Sequence, residues 1–326
     1  MNSMRNKLGT SDVTVTAVTL GAWAIGGAMW GGNDEADSLA AIKTSIDNGI
    51  TSIDTAPVYG MGYSEELVGK AIKGYERSSL QLLTKFGMVW DQEKGDFAFE
   101  RKDNNGVIRR IYRYGGYENA IKEIEASLKR LQTDYIDLIQ LHWPDSTTPI
   151  RETMEAMQKM LDEGKVKAIG VCNYNSTQLE EAERTVRLAS DQVPYSMLKR
   201  KIEQDLTPYA QQHNLSIIAY SPMERGLLTG KYNSSYKLHE DDHRNSYFKQ
   251  FDMNKVAKLT DHLAEMAAGY NATTAQLALA WVFHQPKVAA ALAGARNAKQ
   301  AIENAKAMQL QLSGSDLQQI EKWLAE

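Results

Sequence analysis

Residues 51–60 have the sequence TSIDTAPVYG, which combines a short strand with a polar exit. Thr51 to Asp54 has the composition of a β-strand, and Pro57 and Gly60 interrupt its continuation. Asp54 therefore lies at the end of a predicted strand, and Tyr59 follows five positions later. In a parallel barrel the C-terminal strand ends converge on one mouth, where side chains far apart in sequence meet.

Two further segments have the same pattern. Lys85 follows the strand-like segment Leu80–Thr84, and His142 follows Tyr135–Leu141. Taken singly, Asp54 reads as a turn residue, Tyr59 as a half-buried aromatic, Lys85 as a surface charge and His142 as a hydrogen-bonded core residue. Their shared position at strand exits favours a proton-transfer site built from a carboxylate, a phenol, an ammonium and an imidazole.

Short strand-like segments alternate with longer segments of helical period along the whole chain. Asp34 and Ser64 are predicted to cap the first two helices. No linker interrupts the alternation, so we predict a single (β/α)8 TIM barrel domain over residues 1–326 in preference to a doubly wound sheet. The eight predicted strands are Thr16–Leu20, Thr51–Asp54, Leu80–Thr84, Tyr135–Leu141, Val166–Val171, Asp191–Tyr195, Leu215–Tyr220 and Val288–Ala293.

Three segments depart from this alternation. Arg5–Val15 is predicted to form a hairpin that turns at Gly9-Thr10 and covers the bottom of the barrel. Residues 86–116 and 221–250 are long connections that each follow a strand, so they overhang the mouth. We interpret both as walls or lids of a binding site, with plain surface excursions as the alternative.

Composition excludes several classes of function. The formal net charge is −4, which gives no electrostatic reason to expect nucleic acid or an anionic membrane as a partner. The single cysteine, Cys172, rules out an internal disulfide, and no apolar run approaches the roughly 20 residues of a membrane-spanning helix. We therefore expect a cytoplasmic protein, and the sequence leaves its oligomeric state open.

The four polar residues predict a specific chemistry. A tyrosine has an unperturbed pKa of about 10, so a nearby cation that stabilises its phenolate makes it a better general acid. Lys85 could be that cation, with Asp54 keeping it charged, while His142 hydrogen-bonds a substrate oxygen. A carbonyl oxygen bound here would receive a proton as its carbon receives a hydride.

A phosphate site is predicted after the last two strands. The eighth strand runs into Gly294-Ala295-Arg296-Asn297 and then into a helix, whose exposed N–H groups favour an anion. The loop after the seventh strand, residues 221–231, adds small residues and two cations. Barrels often hold phosphate with these two loops. No Gly-x-Gly-x-x-Gly follows the first strand, so a nucleotide would not bind in the Rossmann manner.

Together these residues resemble the aldo-keto reductase family over nearly the whole chain. The most specific match is residues 53–60, continuing through Ser64–Lys70. Further matches are residues 20–27, 83–85, 128–138, 141–144, 219–222 and 294–304. Within the family, the chain most resembles the bacterial branch of NADPH-dependent, stress-associated reductases.

The resemblance implies an NADPH-dependent reduction of a small-molecule carbonyl, with NADH the less favoured cofactor. Tyr59 matches the general acid, Lys85 and Asp54 the pair that tunes it, and His142 the residue that orients the carbonyl. The nicotinamide would stack on Tyr220, and its carboxamide would meet Asn173, Gln192 and the residue at Cys172. The further cofactor contacts implied are Gly21, Ala22, Trp23, Asp54, Ser221, Pro222, Met223, Gly226, Leu228, Lys231, Gly294, Ala295, Arg296, Gln300, Glu303 and Asn304.

The family match is weaker at Cys172 and Gln192, and several tryptophans lie near the matched segments. Serine is usual at the position of Cys172, and a thiol is the weaker hydrogen-bond donor. The sixth strand is faint, so the register of Gln192 is open. Trp23 and Trp143 are candidates for an apolar wall around the substrate, beside Tyr59 and His142, whereas Trp30 is expected to be a packing residue.

Other functions are compatible with parts of the sequence. Barrels that resemble this one also serve as nucleotide-binding regulatory subunits of potassium channels, although a long N-terminal extension is not seen here. A Schiff-base aldolase could use Lys85 as nucleophile, but Asp54 should keep that lysine charged. A metal site is less favoured, because only His239 and His243 have helical ligand spacing, and they lie in a polar segment.

Overall fold

The computed structural model describes residues 4–27, 34–232 and 244–326, and its strands and helices are numbered in chain order. The strands are β1 (Arg5–Lys7), β2 (Thr14–Thr16), β3 (Val18–Gly21), β4 (Ser52–Asp54), β5 (Gln81–Phe86), β6 (Met88–Val89), β7 (Asp96–Lys102), β8 (Ile108–Arg113), β9 (Leu138–Leu141), β10 (Ile169–Cys172), β11 (Ser190–Pro194), β12 (Ser216–Tyr220) and β13 (Val288–Gly294). The α-helices are α1 (Glu35–Asp47), α2 (Tyr63–Ala71), α3 (Tyr117–Leu131), α4 (Ile150–Asp162), α5 (Ser176–Ala182), α6 (Leu206–His213), α7 (Arg244–Phe248), α8 (Met253–Gly269), α9 (Thr274–Phe283), α10 (Ala298–Lys306) and α11 (Gly314–Ala325).

Eight strands close into a parallel barrel in the order β3-β4-β5-β9-β10-β11-β12-β13. This confirms the predicted (β/α)8 architecture, and each predicted strand overlaps one barrel strand. The faint sixth strand begins at Ser190, one residue earlier than predicted, and pairs Gln192 with Cys172 and Ile218. The polar strand ends consequently share one mouth.

The predicted N-terminal hairpin is also confirmed, because β1 and β2 pair antiparallel. Its apolar residues Leu8, Val13 and Val15 are buried against residues inside the barrel, such as Leu83 and Ile218. The hairpin therefore fills the bottom of the barrel with side chains. Ligands are left with the opposite end, where the strands finish.

The two predicted helix caps have different outcomes. Asp34 accepts a hydrogen bond from the N–H of Asp37 at 2.9 Å, which confirms it as the cap of α1. The prediction for Ser64 is wrong, because α2 begins at Tyr63 and Gly62 occupies the capping position. The Ser64 hydroxyl instead donates to the carbonyl oxygen of Ala22 at 3.0 Å and ties α2 to the end of β3.

The connection over residues 86–116 contains a three-stranded antiparallel sheet in the order β6-β8-β7. We call it the mouth sheet, and its three strands were not predicted. Ile111 of β8 is fully buried in a cluster with Val58 and Met88, with Tyr59 and Trp143 packed against it. The mouth sheet therefore forms one wall of the barrel mouth. Residues 233–243 of the other long connection lie outside the described residues, together with His239 and His243.

A half-buried acid fixes the start of the mouth sheet. The Glu123 carboxylate on α3 accepts hydrogen bonds from the N–H of Gly87 and from Asn119 Nδ2, each at 2.8 Å. Burial raises the pKa of Glu123 to about 7, against the hydrogen bonds from Gly87 and Asn119, which lower it. In the part of the chain that the structure describes, no helix is long and apolar enough to cross a membrane.

Glu123 should make the free energy of unfolding fall as pH rises. Its pKa in the folded protein lies above the ordinary value of 4.5, so its contribution is complete below that pH and is lost as pH rises through about 7. The stability advantage of the parent over Glu123→Gln should shrink by about 1–3 kcal/mol between pH 5 and pH 8. Urea unfolding across this range measures it, with the exposed Glu118→Gln as control. A difference that does not change with pH would contradict the assignment.

Candidate active site

Asp54 and Lys85 form a buried ion pair at the centre of the mouth. Lys85 Nζ lies 2.5 Å from Asp54 Oδ1 and donates to the carbonyl oxygen of Thr55 at 2.9 Å. Their side chains are only 1% and 2% exposed, respectively. Lys85 lies within β5, which runs on to Phe86, so the prediction that the strand ends at Thr84 is corrected. Lys85 shares its face of the strand with Leu83, which points into the barrel.

Electrostatics keep Lys85 charged. Burial lowers the pKa of its ammonium group, but the nearby Asp54 and Tyr59 more than offset that effect, and the pKa ends above its ordinary value. The pair is consequently a fixed positive and a fixed negative charge in a nearly dry setting. Such charges act more strongly there than in water.

Tyr59 lies next to this pair. Its hydroxyl is 3.4 Å from Lys85 Nζ, and its ring meets that of His142 edge-on, with 5.7 Å between the ring centroids. Burial raises the pKa of the Tyr59 phenol, and the charge of Lys85 lowers it. Tyr59 is therefore a phenol that keeps its proton at neutral pH beside a cation that stabilises the phenolate.

Two glycines fix the turn that carries Tyr59. A Cβ atom on Gly26 would lie 2.7 Å from the Tyr59 carbonyl carbon, so the two segments can approach only without a side chain there. Gly60 has φ of 71°, in the left-handed region, and a Cβ on it would lie 2.5 Å from the carbonyl oxygen of Gly26. The position of the phenol thus depends on close backbone contact.

His142 follows β9 directly and is half-buried. Its N–H donates to the carbonyl oxygen of Phe86 at 2.9 Å, which fixes the backbone at the mouth. Burial and the charge of Lys85 hold the pKa of the imidazole well below its ordinary value, so the ring is neutral at pH 7. Among the described residues, its Nδ1 atom has no hydrogen-bond partner. A neutral imidazole can still donate one hydrogen bond to a substrate oxygen.

Two buried amides hold the other oxygen of Asp54. Gln192 Nε2 donates to Asp54 Oδ2 at 2.9 Å and to Gln140 Oε1 at 3.1 Å, while Gln140 Nε2 lies 3.2 Å from Asp54 Oδ2. Gln192 was predicted as a site residue, and Gln140 was not. The signal for Gln140 was present in the sequence, since a long amide interrupts the otherwise apolar strand Leu138–Leu141.

The residues expected around the nicotinamide lie beside this network. The Tyr220 hydroxyl donates to Asn173 Oδ1 at 3.1 Å, and Asn173 Nδ2 donates to the carbonyl oxygen of His142 at 3.5 Å. Cys172 is buried with its Sγ atom 4.0 Å from Gln140 Oε1, and burial holds the pKa of the thiol well above its ordinary value. Cys172 is consequently a thiol and not a thiolate at neutral pH.

The backbone is open at the junction of the first and last barrel strands. Gly21 and Gly294 pair where β3 and β13 end. Among the residues that the structure describes, a Cβ atom on Gly294 would have one heavy atom within 4 Å, the Gly21 carbonyl oxygen at 3.8 Å, so a ligand can approach closely here. Ala22, Ala295 and Leu228, which are also among the predicted cofactor contacts, are fully buried.

The loop after β12 is tightly anchored. Glu224 is fully buried and accepts hydrogen bonds from Ser196 Oγ at 2.6 Å and from the Tyr247 hydroxyl. Arg225 stacks on Tyr247, with its guanidinium carbon 3.7 Å from the ring centroid. Glu224 was not predicted, because a lone acid in a loop looks solvated in sequence. Of the predicted contacts here, Pro222 is buried, Ser221, Met223 and Gly226 are half-buried, and Lys231 is exposed.

The N-terminus of α10 has the geometry expected for a phosphate site. Asn297 Oδ1 accepts from the N–H of Gln300 at 3.0 Å, which confirms Asn297 as the cap. Arg296 is exposed beside it, and its N–H donates to Gln300 Oε1 at 2.8 Å. Asn304 is buried and donates to the carbonyl oxygen of Gly294 at 3.0 Å. Glu303 accepts from Gln276 and Lys306, so its side chain already has protein partners.

The donor set fits a dinucleotide. The groups around the mouth include an exposed backbone at Gly294, an aromatic ring at Tyr220, a capped helix start and the exposed guanidinium of Arg296. Trp143 packs in the same cluster as Tyr59. The ring centroid of Trp23 lies 5.8 Å from the Arg225 guanidinium carbon, and Trp30 lies outside the described residues. The described residues contain no group of three His, Cys, Asp or Glu side chains that could hold a metal ion.

Comparison with known proteins identifies the class that this barrel and site define. The model of the aldo/keto reductase family matches residues 17–325. The chain is 40% identical over 290 residues to aldo-keto reductase YhdN of Bacillus subtilis (strain 168), covering 88% of this chain and 83% of that protein. It is 35% identical to the NADH-specific methylglyoxal reductase of Escherichia coli (strain K12), covering 95% and 94%.

Solved structures agree. The glycerol dehydrogenase AKR11B4 from Gluconobacter oxydans matches with a TM-score of 0.88 at 35% identity, covering 100% of this chain and 96% of that one. An aldo-keto reductase from Klebsiella pneumoniae in complex with NADPH matches with a TM-score of 0.73 at 31% identity, covering 99% and 95%. The chain therefore belongs to the aldo/keto reductase family, and carbonyl reduction is the activity of its class.

Proposed function

We propose that this chain reduces aldehydes or ketones to alcohols with NADPH, using Tyr59 as the general acid. One observation carries the proposal: the Tyr59 hydroxyl lies 3.4 Å from a buried lysine that is itself 2.5 Å from Asp54. A phenol beside a permanently charged ammonium can give up its proton more readily than a phenol in the same apolar surroundings alone.

Each member of the site has a separate task. NADPH, when bound, supplies the hydride that reduces the carbonyl carbon. Tyr59 donates the proton to the carbonyl oxygen, and Lys85 stabilises the phenolate that this leaves. His142, neutral at pH 7, donates a hydrogen bond to the same oxygen and orients it, while Trp23 and Trp143 contribute an apolar wall.

The proposed cofactor contacts follow the open side of the mouth. Tyr220 would stack on the nicotinamide, and Asn173 with Gln192 would hold its carboxamide. The backbone of residues 221–231 would line the pyrophosphate. Arg296 suits the 2′-phosphate that distinguishes NADPH from NADH, since a guanidinium can bind two phosphate oxygens at once. The NADH-specific relative makes this preference the part of the proposal that needs its own test.

The alternative roles have less support. An aldolase nucleophile needs an uncharged amine, but burial fails to lower the pKa of Lys85 below its ordinary value because Asp54 and Tyr59 raise it. A catalytic role for the pair has the support of Gln140 and Gln192, which hold the second oxygen of Asp54 in place, whereas a purely regulatory role rests on no specific observation. We also propose a cytoplasmic location, as the single cysteine is buried and unpaired.

Tyr59→Phe should lower kcat for aldehyde reduction by at least about a hundredfold, because the proton donor is lost while the ring remains. NADPH binding, followed by cofactor fluorescence, should be unchanged. Tyr63→Phe is the matched control, since Tyr63 lies in the next helix and donates to Glu35 at the surface. Substantial turnover by Tyr59→Phe would assign the acid to another residue.

Arg296→Ala should raise the Kd for NADPH by about tenfold or more and leave the Kd for NADH within about twofold, because the guanidinium would contact only the 2′-phosphate. Lys299→Ala, which removes an exposed cation from the same helix, should change neither value. An equal rise in the Kd values for NADPH and NADH would show that Arg296 does not bind the 2′-phosphate. A lower Kd for NADH than for NADPH in the parent would show that NADH is the preferred cofactor.

A further inference from the structure

The inner face of the mouth sheet carries arginines as well as apolar residues. Side chains alternate along a strand, so Arg109 and Arg113 share with Ile111 the face of β8 that is turned to the barrel mouth. Arg101 of β7 pairs with Arg109 and lies on that face too. Two of these three guanidiniums are placed beside catalytic segments.

Arg113 is the distinctive member of this group. Its guanidinium carbon lies 5.0 Å from the ring centroid of Trp143, the residue that follows His142. Its Nε atom is buried, and within the described ranges the Arg113 side chain makes no hydrogen bond or ion pair. By contrast, Arg109 pairs with Asp103 at 2.9 Å, and Arg110 on the outer face pairs with Glu93 at 2.9 Å.

The nearby acids are committed to other groups. Asp96, which faces Arg113 across the strand pair, accepts from the N–H and the hydroxyl of Ser146, each at 2.7 Å. Asp145 accepts from the N–H of Gly115 at 2.8 Å and from the Thr148 hydroxyl at 2.6 Å. The hydrogen bonds from Ser146 and, to a smaller extent, the charge of Arg113 hold the pKa of Asp96 below its ordinary value. The Arg113 guanidinium therefore has a carboxylate nearby but donates no hydrogen bond to it, and a buried donor without an acceptor is costly. An anion from outside the protein would supply the missing partner.

Arg101 adds a second guanidinium on the same face of the mouth sheet. It donates to the carbonyl oxygen of Val58, the residue before Tyr59. Burial lowers the pKa of Arg101 and the nearby Tyr59 raises it, which reflects how close the guanidinium lies to the catalytic phenol. The inner face of the mouth sheet therefore carries one guanidinium beside Val58 and Tyr59 and another beside Trp143.

We propose that Arg113 binds an oxyanion, a carboxylate or a phosphate, at the end of the substrate remote from the carbonyl. The inference rests on the proposed carbonyl reduction and adds a substrate class to it. Guanidinium donors match two oxygens of such a group, and Trp143 holds the plane of the guanidinium by cation–π contact. Uncharged aldehydes would still reach Tyr59 but would lack this anchor.

The test compares charged and neutral aldehydes of matched shape. The carboxylate arm uses 4-carboxybenzaldehyde against its methyl ester, and the phosphate arm uses glyceraldehyde 3-phosphate against glyceraldehyde. In the parent, KM for at least one anionic member should be about tenfold or more below that of its neutral counterpart. Arg113→Gln should abolish this advantage by raising KM for the anion about tenfold, with kcat little changed, because the group is bound equally in substrate and transition state.

Two variants keep the result interpretable. Arg110→Gln removes a guanidinium from the same strand on the outer face and should leave both arms unchanged. Arg113→Lys keeps the charge and should retain part of the preference, and circular dichroism checks the fold of each variant. Loss in the carboxylate arm alone or the phosphate arm alone would identify which oxyanion is bound.

The same assays distinguish the oxyanion site at Arg113 from the reductase activity itself. If the parent reduces the neutral aldehydes but shows no anion preference, or if Arg113→Gln keeps the preference, the oxyanion site is refuted and the reductase stands. If the parent reduces none of the aldehydes, the proposed function fails. Terephthalate and phosphate binding, read by tryptophan fluorescence, then decides the anion site: equal affinity in the parent and Arg113→Gln, or no binding to either, overturns it.

Discussion

The ion pair of Asp54 and Lys85 is the interaction on which the rest of the site depends. Breaking a buried pair by removing one partner typically costs roughly 3–5 kcal/mol, because a charge is left without compensation in a dry setting. Here the pair is only 1–2% exposed, and one oxygen of Asp54 is held by two buried amides. Strands β4, β5, β9 and β11 must keep their register for these contacts to exist. The pairing of the barrel strands therefore determines the positions of Asp54 and Lys85.

The molecule divides its tasks between the barrel and the segments above it. The hairpin β1–β2 closes the bottom with apolar side chains, and the strand ends supply the charged pair, the phenol and the imidazole. The mouth sheet and the loop after β12 form opposite walls. Their anchors are two acids, the half-buried Glu123 under the mouth sheet and the fully buried Glu224 under the loop. Rigid support of this kind holds a catalytic geometry more reliably than loops alone.

The sequence predicted the barrel and the meeting of four polar residues at its mouth because both rest on local patterns. A short apolar strand followed by Asp54, Lys85 or His142 is visible in a few residues, although β5 continues past Lys85 to Phe86. Gln140 and Glu224 were missed because their importance depends on what they face after folding. The mouth sheet was missed since Phe97, Phe99 and Ile108 are exposed and mask the alternation of buried positions. Ser64 was misassigned because Gly62, in the left-handed region, opens α2 earlier.

Burial raises the pKa of the Tyr59 phenol, and the Lys85 charge lowers it; the proposed proton transfer depends on this effect of Lys85. The most direct measurement is a pH titration of the tyrosine ring carbons by NMR, with the Tyr59 resonance assigned by its absence in Tyr59→Phe. The parent is compared with the double variant Asp54→Asn/Lys85→Met, which removes both charges and leaves no unpaired ion. We predict that Tyr59 loses its proton at a lower pH in the parent than in the double variant. The same or a higher titration pH in the parent would contradict the account.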